Sequence, residues 1–209
     1  MRTLLIIDVQ NDFLPGGALE VPGSDAIVPV INRLIGIGGF DLVVAAQDWH
    51  PAGHGSFASS HPGRAPFERI DLNGLEQTLW PDHCVQGSRG AEFSAELDTR
   101  RVEAIFRKGM DPAIDSYSAF FDNGRRKATG LADFLRGRGA RELWLCGLAG
   151  DICVHYSARD ALDQGFAVNF IVDAATPLDA ANEAAHLAAL RERGARIVTS
   201  AQVPADTSP

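Results

Sequence analysis

Residues 142–154 read Glu142-Leu-Trp-Leu-Cys-Gly-Leu-Ala-Gly-Asp-Ile-Cys-Val154, and they carry the clearest structural signal in the chain. The apolar run at 143–148 predicts a buried β-strand, which the turn at 147–150 ends. Asp151 has a side chain typical of a helix N-cap, and a helical pattern follows it to Gly165. The segment therefore predicts a strand, a tight turn and a helix in immediate succession.

Cys153 lies in the first turn of that predicted helix. Free backbone N–H groups at a helix N-terminus favour negative charge, so we expect this position to lower the pKa of the thiol from its usual value of about 8.5. The same N–H groups could hold the oxyanion of a tetrahedral intermediate. The alternative is a small buried residue that fills a contact between helix and strand, which is the commoner situation for a free cysteine.

The rest of the chain repeats this alternation of strands and helices. Apolar runs predict six strands, at residues 3–9, 41–46, 102–107, 143–148, 166–172 and 195–199. Further helices are predicted at residues 25–37, 131–138 and 179–193. Apolar strands separated by helices indicate an α/β fold with an open, mainly parallel six-stranded sheet covered by helices on both faces. We expect residues 1–209 to form a single domain whose tail, 204–209, is frayed.

Residues 51–98 interrupt the alternation. They are rich in Gly, Pro, Ser and His and show little periodicity. A connection of this length in a compact domain is usually functional or disordered. Large apolar residues argue against disorder, namely Phe57, Phe67, Leu75, Leu79 and Trp80. We therefore predict an ordered, lid-like excursion after the second strand.

Composition limits the class of protein. The formal net charge is −8 and no basic face is visible, which argues against nucleic-acid binding. No apolar run reaches membrane-spanning length, and the N-terminus lacks the flanks of a signal peptide, so a membrane partner is not expected. Three cysteines do not suggest a disulfide framework, so we expect a cytoplasmic protein.

Reactive side chains follow several of the predicted strands. Asp8 lies at the end of the first strand, Lys108 follows the third and Cys153 follows the fourth. In open parallel sheets ligands bind beyond the carboxyl ends of the strands, so these groups would meet there. Asp8 could accept the thiol proton and Lys108 could stabilise the thiolate, whereas His155 points away from Cys153 because two residues along a helix turn by about 200°. The alternatives are a turn-capping Asp8 and a solvated Lys108.

A second group has the residue types of a metal site. Asp48 and His50 follow the second strand, and residues two apart on an extended segment point to the same side. His83 could complete a set of two histidines and one carboxylate, which suits one divalent ion such as Zn²⁺, Fe²⁺ or Mn²⁺. Asp-x-His alone is weak evidence for a metal. His54 and Ser56 are lower-ranked candidates for the same ion.

Taken as a set, the motifs resemble the nicotinamidase (pyrazinamidase) branch of the isochorismatase-like hydrolases. The resemblance runs from the first to the sixth strand, in order and at compatible spacing. The matching motifs are Asp8-Val-Gln-Asn-Asp-Phe13, Gln47-Asp-Trp-His-Pro51, Ser56-Phe-Ala58, Leu79-Trp-Pro-Asp-His-Cys-Val-Gln-Gly87, Lys108-Gly109, Asp115-Ser-Tyr-Ser-Ala-Phe120 and Gly147-Leu-Ala-x-Asp-x-Cys-Val154.

The resemblance implies an activity and the residues that carry it. The enzyme would hydrolyse nicotinamide to nicotinic acid and ammonia through a thioester, and would also accept pyrazinamide. It implies a Cys153 nucleophile, a carboxylate at Asp8, an ammonium at Lys108, and the metal ligands Asp48, His50 and His83. A divalent ion would anchor the pyridine nitrogen, directly or through its waters.

The resemblance also implies a substrate pocket. Phe13 and Trp80 would sandwich the ring, and Tyr117 would line the pocket. The peptide bond between Leu148 and Ala149 would be cis, and the N–H groups of Ala149 and Cys153 would form the oxyanion hole. A homo-oligomer is a further possibility.

One position departs from the family pattern, and other functions remain as alternatives. Gly150 stands where the family often has Thr. The glycine could loosen the turn before the nucleophile and so change the rate. Another amide or ureido hydrolase of the same superfamily would share Asp8, Lys108 and Cys153, although those branches need no metal. A non-catalytic binding module is the alternative from a different class.

Overall fold

The computed structural model describes residues 1–37 and 39–205. The strands are β1 (Arg2–Ile7), β2 (Leu42–Asp48), β3 (Arg69–Leu72), β4 (Leu75–Thr78), β5 (Val102–Lys108), β6 (Glu142–Leu148), β7 (Ala167–Thr176) and β8 (Arg196–Val198). The α-helices are α1 (Ile27–Gly36), α2 (Leu131–Gly137), α3 (Cys153–Asp163) and α4 (Ala180–Glu192). Of the predicted frayed tail, residues 206–209 lie outside the described residues.

Within the described part of the chain, six strands form one sheet in the order β5-β2-β1-β6-β7-β8. Every pair of neighbours is parallel. The centre is apolar on both faces, since Leu4, Leu5, Ile6 and Ile7 of β1 are all fully buried. The predicted α/β class and six-stranded sheet are confirmed, and the sheet is parallel throughout.

Helices cover the sheet on both faces, as predicted. Helix α1 packs on one face through Ile31, Leu34 and Ile35. Helices α2, α3 and α4 pack on the other face, where Leu135, Ala158 and Leu190 contribute to the second core cluster. Burial of this kind stabilises by about 25 cal/mol per Å² of apolar surface, so both helix layers are fixed mainly by packing.

Asp151 does not cap α3, so that prediction was wrong. The helix begins at Cys153, and Ile152 is the N-cap residue, without a side-chain cap. The Asp151 carboxylate instead accepts hydrogen bonds from the backbone N–H groups of Leu178 and Asp179. The carboxylate that could have capped α3 thus binds the loop between β7 and α4 instead.

The excursion at 51–98 contains a hairpin that the sequence analysis did not predict. Strands β3 and β4 pair in antiparallel fashion around Asn73 and Gly74, which both have positive φ. An Asn-Gly pair of this kind is typical of a two-residue hairpin turn. The flanking Phe57 and Leu79 are fully buried, so this part of the excursion is anchored on the domain. Its role as a lid stays a prediction.

No helix among the described residues combines the length and the apolar character needed to cross a membrane.

Candidate active site

The structure brings Asp8, Lys108 and Cys153 together at the carboxyl edge of the sheet. The Lys108 Nζ lies 2.9 Å from Asp8 Oδ2 and donates to Cys153 Sγ at 3.5 Å. All three side chains are buried. The strand order explains the meeting, because β5, β1 and β6 end at the same edge and α3 begins directly after β6. The chain leaves β1 at Asp8, whose φ of 52° lies in the left-handed region.

Lys108 is the charge centre of this group. Its ammonium also donates to Asp48 Oδ1 and to the Ser116 carbonyl, each at 3.0 Å. Burial alone would lower the pKa of Lys108, but the carboxylates of Asp48 and Asp8 outweigh it and raise that pKa well above its ordinary value. Lys108 is therefore a fixed cation throughout the pH range in which proteins are stable.

Burial dominates the protonation of the other two members. It raises the pKa of Asp8 to about 6, with Lys108 opposing the rise. It also raises the pKa of the Cys153 thiol well above its usual value, against the opposing charge of Lys108. The expectation that the helix N-terminus lowers the pKa of Cys153 was wrong, because desolvation outweighs it in this environment. The resting nucleophile is a thiol, and a base must remove its proton.

Asp48, His50 and His83 form a second buried group whose ligand atoms all lie within 4.8 Å of one another. Asp48 Oδ2 is 3.2 Å from His50 Nε2 and 3.5 Å from His83 Nε2. Burial alone would raise the pKa of Asp48, but His50 and Lys108 outweigh it and hold that pKa well below its ordinary value. The group therefore offers an ionised carboxylate beside two imidazoles.

The histidine tautomers fit a metal ion. The Nδ1 atoms of His50 and His83 lie 2.9 Å and 2.8 Å from the carbonyls of Gly109 and Pro81. Each carbonyl selects the tautomer with the proton on Nδ1, so the lone pair of each Nε2 faces Asp48. His50 Nε2 is buried and has no hydrogen-bond partner in the described structure. These three residues could hold one metal ion.

The lower-ranked candidates His54 and Ser56 are engaged elsewhere. His54 Nδ1 lies 2.8 Å from Ser56 Oγ, and His54 Nε2 lies 2.7 Å from the Asp111 carbonyl. Both ring nitrogens are thus used. The His54 ring packs on the ring of His50 with 4.5 Å between centroids. It supports a member of the metal group rather than joining it.

Two buried polar residues of the site were missed by the sequence analysis. Asp115 Oδ1 lies 4.0 Å from His50 Nε2, and its other oxygen accepts a hydrogen bond from Gln77. Gln10 holds Asp48 in place: its side chain accepts from the Asp48 N–H and donates to the Asp48 carbonyl, each at 2.8 Å. Gln10 stands two residues after Asp8, so its place after a strand was a usable signal. Asp115 arrives from a loop, and its signal was its place in the quoted motif at 115–120.

Members of both groups line one cavity: Cys153 of the first group, and Asp48 and His83 of the second. Phe13, Trp80 and Tyr117 line it, as do Ala149 and Cys153 at its base. Trp80 and Tyr117 meet edge to face at 6.2 Å. The Leu148–Ala149 peptide is cis, as the resemblance implied. No backbone carbonyl in the described residues accepts from the N–H of Ala149 or Cys153, so both donors remain available to a ligand.

Comparison with known proteins gives one consistent result. Residues 2–202 match the family model described as the isochorismatase domain. Escherichia coli nicotinamidase is 53% identical over 174 residues, which cover 82% of this chain and 81% of that protein. The structure of an Acinetobacter baumannii nicotinamidase/pyrazinamidase is 41% identical, with a TM-score of 0.93, and the match covers 97% of this chain and 98% of that one.

A third similar structure is that of Pyrococcus horikoshii pyrazinamidase in complex with zinc. It is 36% identical, with a TM-score of 0.77, and the match covers 95% of this chain and 98% of that one.

Proposed function

This chain belongs to the isochorismatase family, and we propose that it is a nicotinamidase, which hydrolyses nicotinamide to nicotinic acid and ammonia through a thioester on Cys153. One observation carries the proposal. Cys153, which Lys108 contacts, lines the same aromatic cavity as the metal-group members Asp48 and His83, and this cavity suits a flat ring that carries a carboxamide. The identity to named nicotinamidases supports the amide as the bond that is cleaved.

Asp8 and Lys108 prepare the nucleophile. Asp8, with a pKa of about 6, is mostly ionised at neutral pH and accepts the proton of the Cys153 thiol. Lys108 donates to the sulfur and stabilises the thiolate by its charge. The raised thiol pKa is the reason that both partners are needed.

The thiolate then attacks the carboxamide carbon. A sulfur–carbon bond forms and the carbonyl electron pair moves to oxygen, where the N–H groups of Ala149 and Cys153 donate to it. Asp8 passes its proton to the amide nitrogen, the carbon–nitrogen bond breaks, and ammonia leaves a thioester. Asp8 next takes a proton from water, the hydroxide attacks the thioester carbonyl, and nicotinic acid departs as Cys153 recovers its proton.

Asp48, His50 and His83 would hold the metal ion, and the buried, partnerless His50 Nε2 supports that assignment. When bound, Zn²⁺, Fe²⁺ or Mn²⁺ would supply a Lewis acid that attracts the ring nitrogen. We propose that Phe13 and Trp80 hold the two faces of the ring and that Tyr117 closes one side. Several expectations stay predictions: a single domain, a cytoplasmic location, a homo-oligomer, the absence of nucleic-acid and membrane partners, and hydrolysis of pyrazinamide.

Ammonia release from nicotinamide by the purified protein tests the function. Cys153→Ala should abolish turnover while the protein stays folded. Cys146→Ala is the matched control, because Cys146 is buried within β6 and should leave turnover unchanged. Benzamide lacks the ring nitrogen and should be a poor substrate.

Two results would contradict the proposal. If the wild type leaves nicotinamide intact but cleaves a ureido or carbamoyl compound, the chain is another amidase of the superfamily. If Cys153→Ala retains turnover, the thioester is not an intermediate.

A further inference from the structure

The side chain of Asp151 joins the turn before the nucleophile to a distant loop. Asp151 is 5% exposed. One carboxylate oxygen accepts from the Leu178 N–H at 2.7 Å, and the other accepts from the Asp179 N–H at 2.9 Å. Hydrogen bonds to an ionised acceptor are roughly twice as strong as neutral ones. Both carboxylate oxygens are thus used across a separation of more than 25 residues.

The turn at one end of this link holds the proposed oxyanion donors. The Ala149 carbonyl accepts from the N–H groups of Ile152 and Val154, each at 3.1 Å, which folds the turn over the start of α3. These two hydrogen bonds fix the backbone of Ala149, and the orientation of the Ala149 N–H is fixed with it. The same turn carries Cys153, so sulfur and oxyanion donors move as one unit.

The loop at the other end belongs to the substrate cavity. Leu178 lines the cavity, as does Ile152 from the turn before the nucleophile. A second tie strengthens the junction, because the Gly150 N–H donates to the Thr176 carbonyl at 2.7 Å. A Cβ at position 150 would lie 3.2 Å from the Thr176 carbonyl carbon, so glycine allows this close approach. The effect of Gly150 on the rate stays a prediction.

We propose that Asp151 is a positioning residue for the amidase reaction, which fixes the oxyanion donors Ala149 and Cys153 against the loop between β7 and α4. This inference rests on the proposed function. Both carboxylate oxygens accept from N–H groups, so an amide side chain could satisfy only one of them and would turn its own NH₂ group toward the other. Asn at position 151 therefore breaks one end of the junction with little change in volume.

A displaced turn should impair the transition state more than substrate binding. In the proposed binding mode Phe13 and Trp80 hold the ring of the substrate in the ground state, whereas the oxyanion forms only during the reaction. Removal of one oxyanion donor costs about 10²–10³-fold in kcat, and displacement of a donor costs less. We expect Asp151→Asn to lower kcat for nicotinamide about tenfold or more and to change KM less than about threefold.

Asp173→Asn is the matched control. Asp173 lies on β7 and, like Asp151, uses both carboxylate oxygens, which accept from the N–H and the hydroxyl of Ser200, each at 2.6 Å. The same chemical change there breaks a pair of carboxylate hydrogen bonds away from the cavity, at a position that is more exposed than Asp151. Its kcat should equal that of the wild type, whatever its thermal stability.

A second measurement separates positioning from a purely structural role. Pyridine-3-carbaldehyde should add to Cys153: a bond forms between its aldehyde carbon and the sulfur, and its oxygen takes the oxyanion position and receives the thiol proton. Nicotinate binds as a flat ground-state ligand. In Asp151→Asn the inhibition constant of the aldehyde should rise about as much as kcat falls, while that of nicotinate stays unchanged.

The outcomes distinguish this inference from the proposed function. If the wild type hydrolyses nicotinamide and Asp151→Asn has the same kcat, the inference alone is overturned. The same holds if Asp173→Asn loses as much kcat as Asp151→Asn. Equal weakening of aldehyde and nicotinate would also overturn it. Failure of the wild type to hydrolyse nicotinamide would overturn both. If Asp151→Asn does not fold, Asp151→Ser, whose hydroxyl can accept from one N–H, is measured in its place with the same expectations.

Discussion

Replacement of Lys108 by methionine tests the charge balance of the site. Methionine has a similar length but no charge. The variant loses the ion pair with Asp8, the hydrogen bonds to Asp48 and Ser116, and the contact with the Cys153 sulfur. Two buried carboxylates then lie close together without a cation between them.

The expected loss of stability follows from burial. Removal of one partner from a buried ion pair typically costs about 3–5 kcal/mol, because a charge is left without compensation. Proton uptake by Asp8 limits this cost. Without Lys108, which opposes the rise, the pKa of Asp8 in the folded variant moves above the value of about 6 in the wild type. A folded-state pKa that is raised contributes stability that is lost as pH increases, at about 1.4 kcal/mol per pH unit.

The difference between wild type and Lys108→Met should therefore grow between pH 6 and pH 8. Urea unfolding, followed by tryptophan fluorescence with chelator present in every sample, measures it. Lys127→Met is the control, because Lys127 pairs with Asp111 at the surface and should show no pH-dependent loss. A difference below about 1 kcal/mol at pH 8, or one that grows as pH falls, would refute the reasoning.

Two further predictions concern histidines. His50→Ala should lower the content of bound divalent metal, about one ion per chain in the wild type, by at least about tenfold in elemental analysis. The control His61→Ala should keep its metal. Equal metal content in the two variants would rule out the proposed ligand set. Burial, with help from His186, lowers the pKa of His155 to about 4, so the folded state disfavours its proton and stability should fall as pH drops from about 6.5 to about 4. Water near the ring screens its charge, so we expect a fall of about 1–2 kcal/mol, less than the full shift would give. His155→Leu should flatten that part of the urea stability profile, and an unchanged slope would contradict the assignment.

The sheet could be predicted largely because its central strands are buried on both faces. Such strands give continuous apolar runs, and β1 and β6 are both of this kind. The β3–β4 hairpin could not be predicted in this way, because its residues alternate between exposed and half-buried and contribute few side chains to the core. Its one clear local signal was the Asn73-Gly74 pair.

The candidate site could be predicted where the ends of the strands fix the positions of its residues. Asp8, Lys108 and Cys153 follow or begin elements whose ends meet in any parallel sheet, so their types and order were sufficient. Asp151 was misjudged because capping is a local rule, and a tertiary partner 27 residues away competed for its carboxylate. The pKa of Cys153 was misjudged for the same reason, since a helix N-terminus is visible in a sequence and desolvation is not.

Asp48 links the two halves of the site through its two oxygens. Oδ1 accepts from Lys108, while Oδ2 faces His50 and His83. Asp8, Asp48 and Asp115 are all buried here, so three carboxylates share a region in which Lys108 is the fixed positive side chain. Such an excess of negative charge is costly in a desolvated site, and a divalent cation on Asp48 would offset it. A divalent ion held by this group would therefore act electrostatically on Asp8 and Lys108, in addition to any contact with the substrate ring.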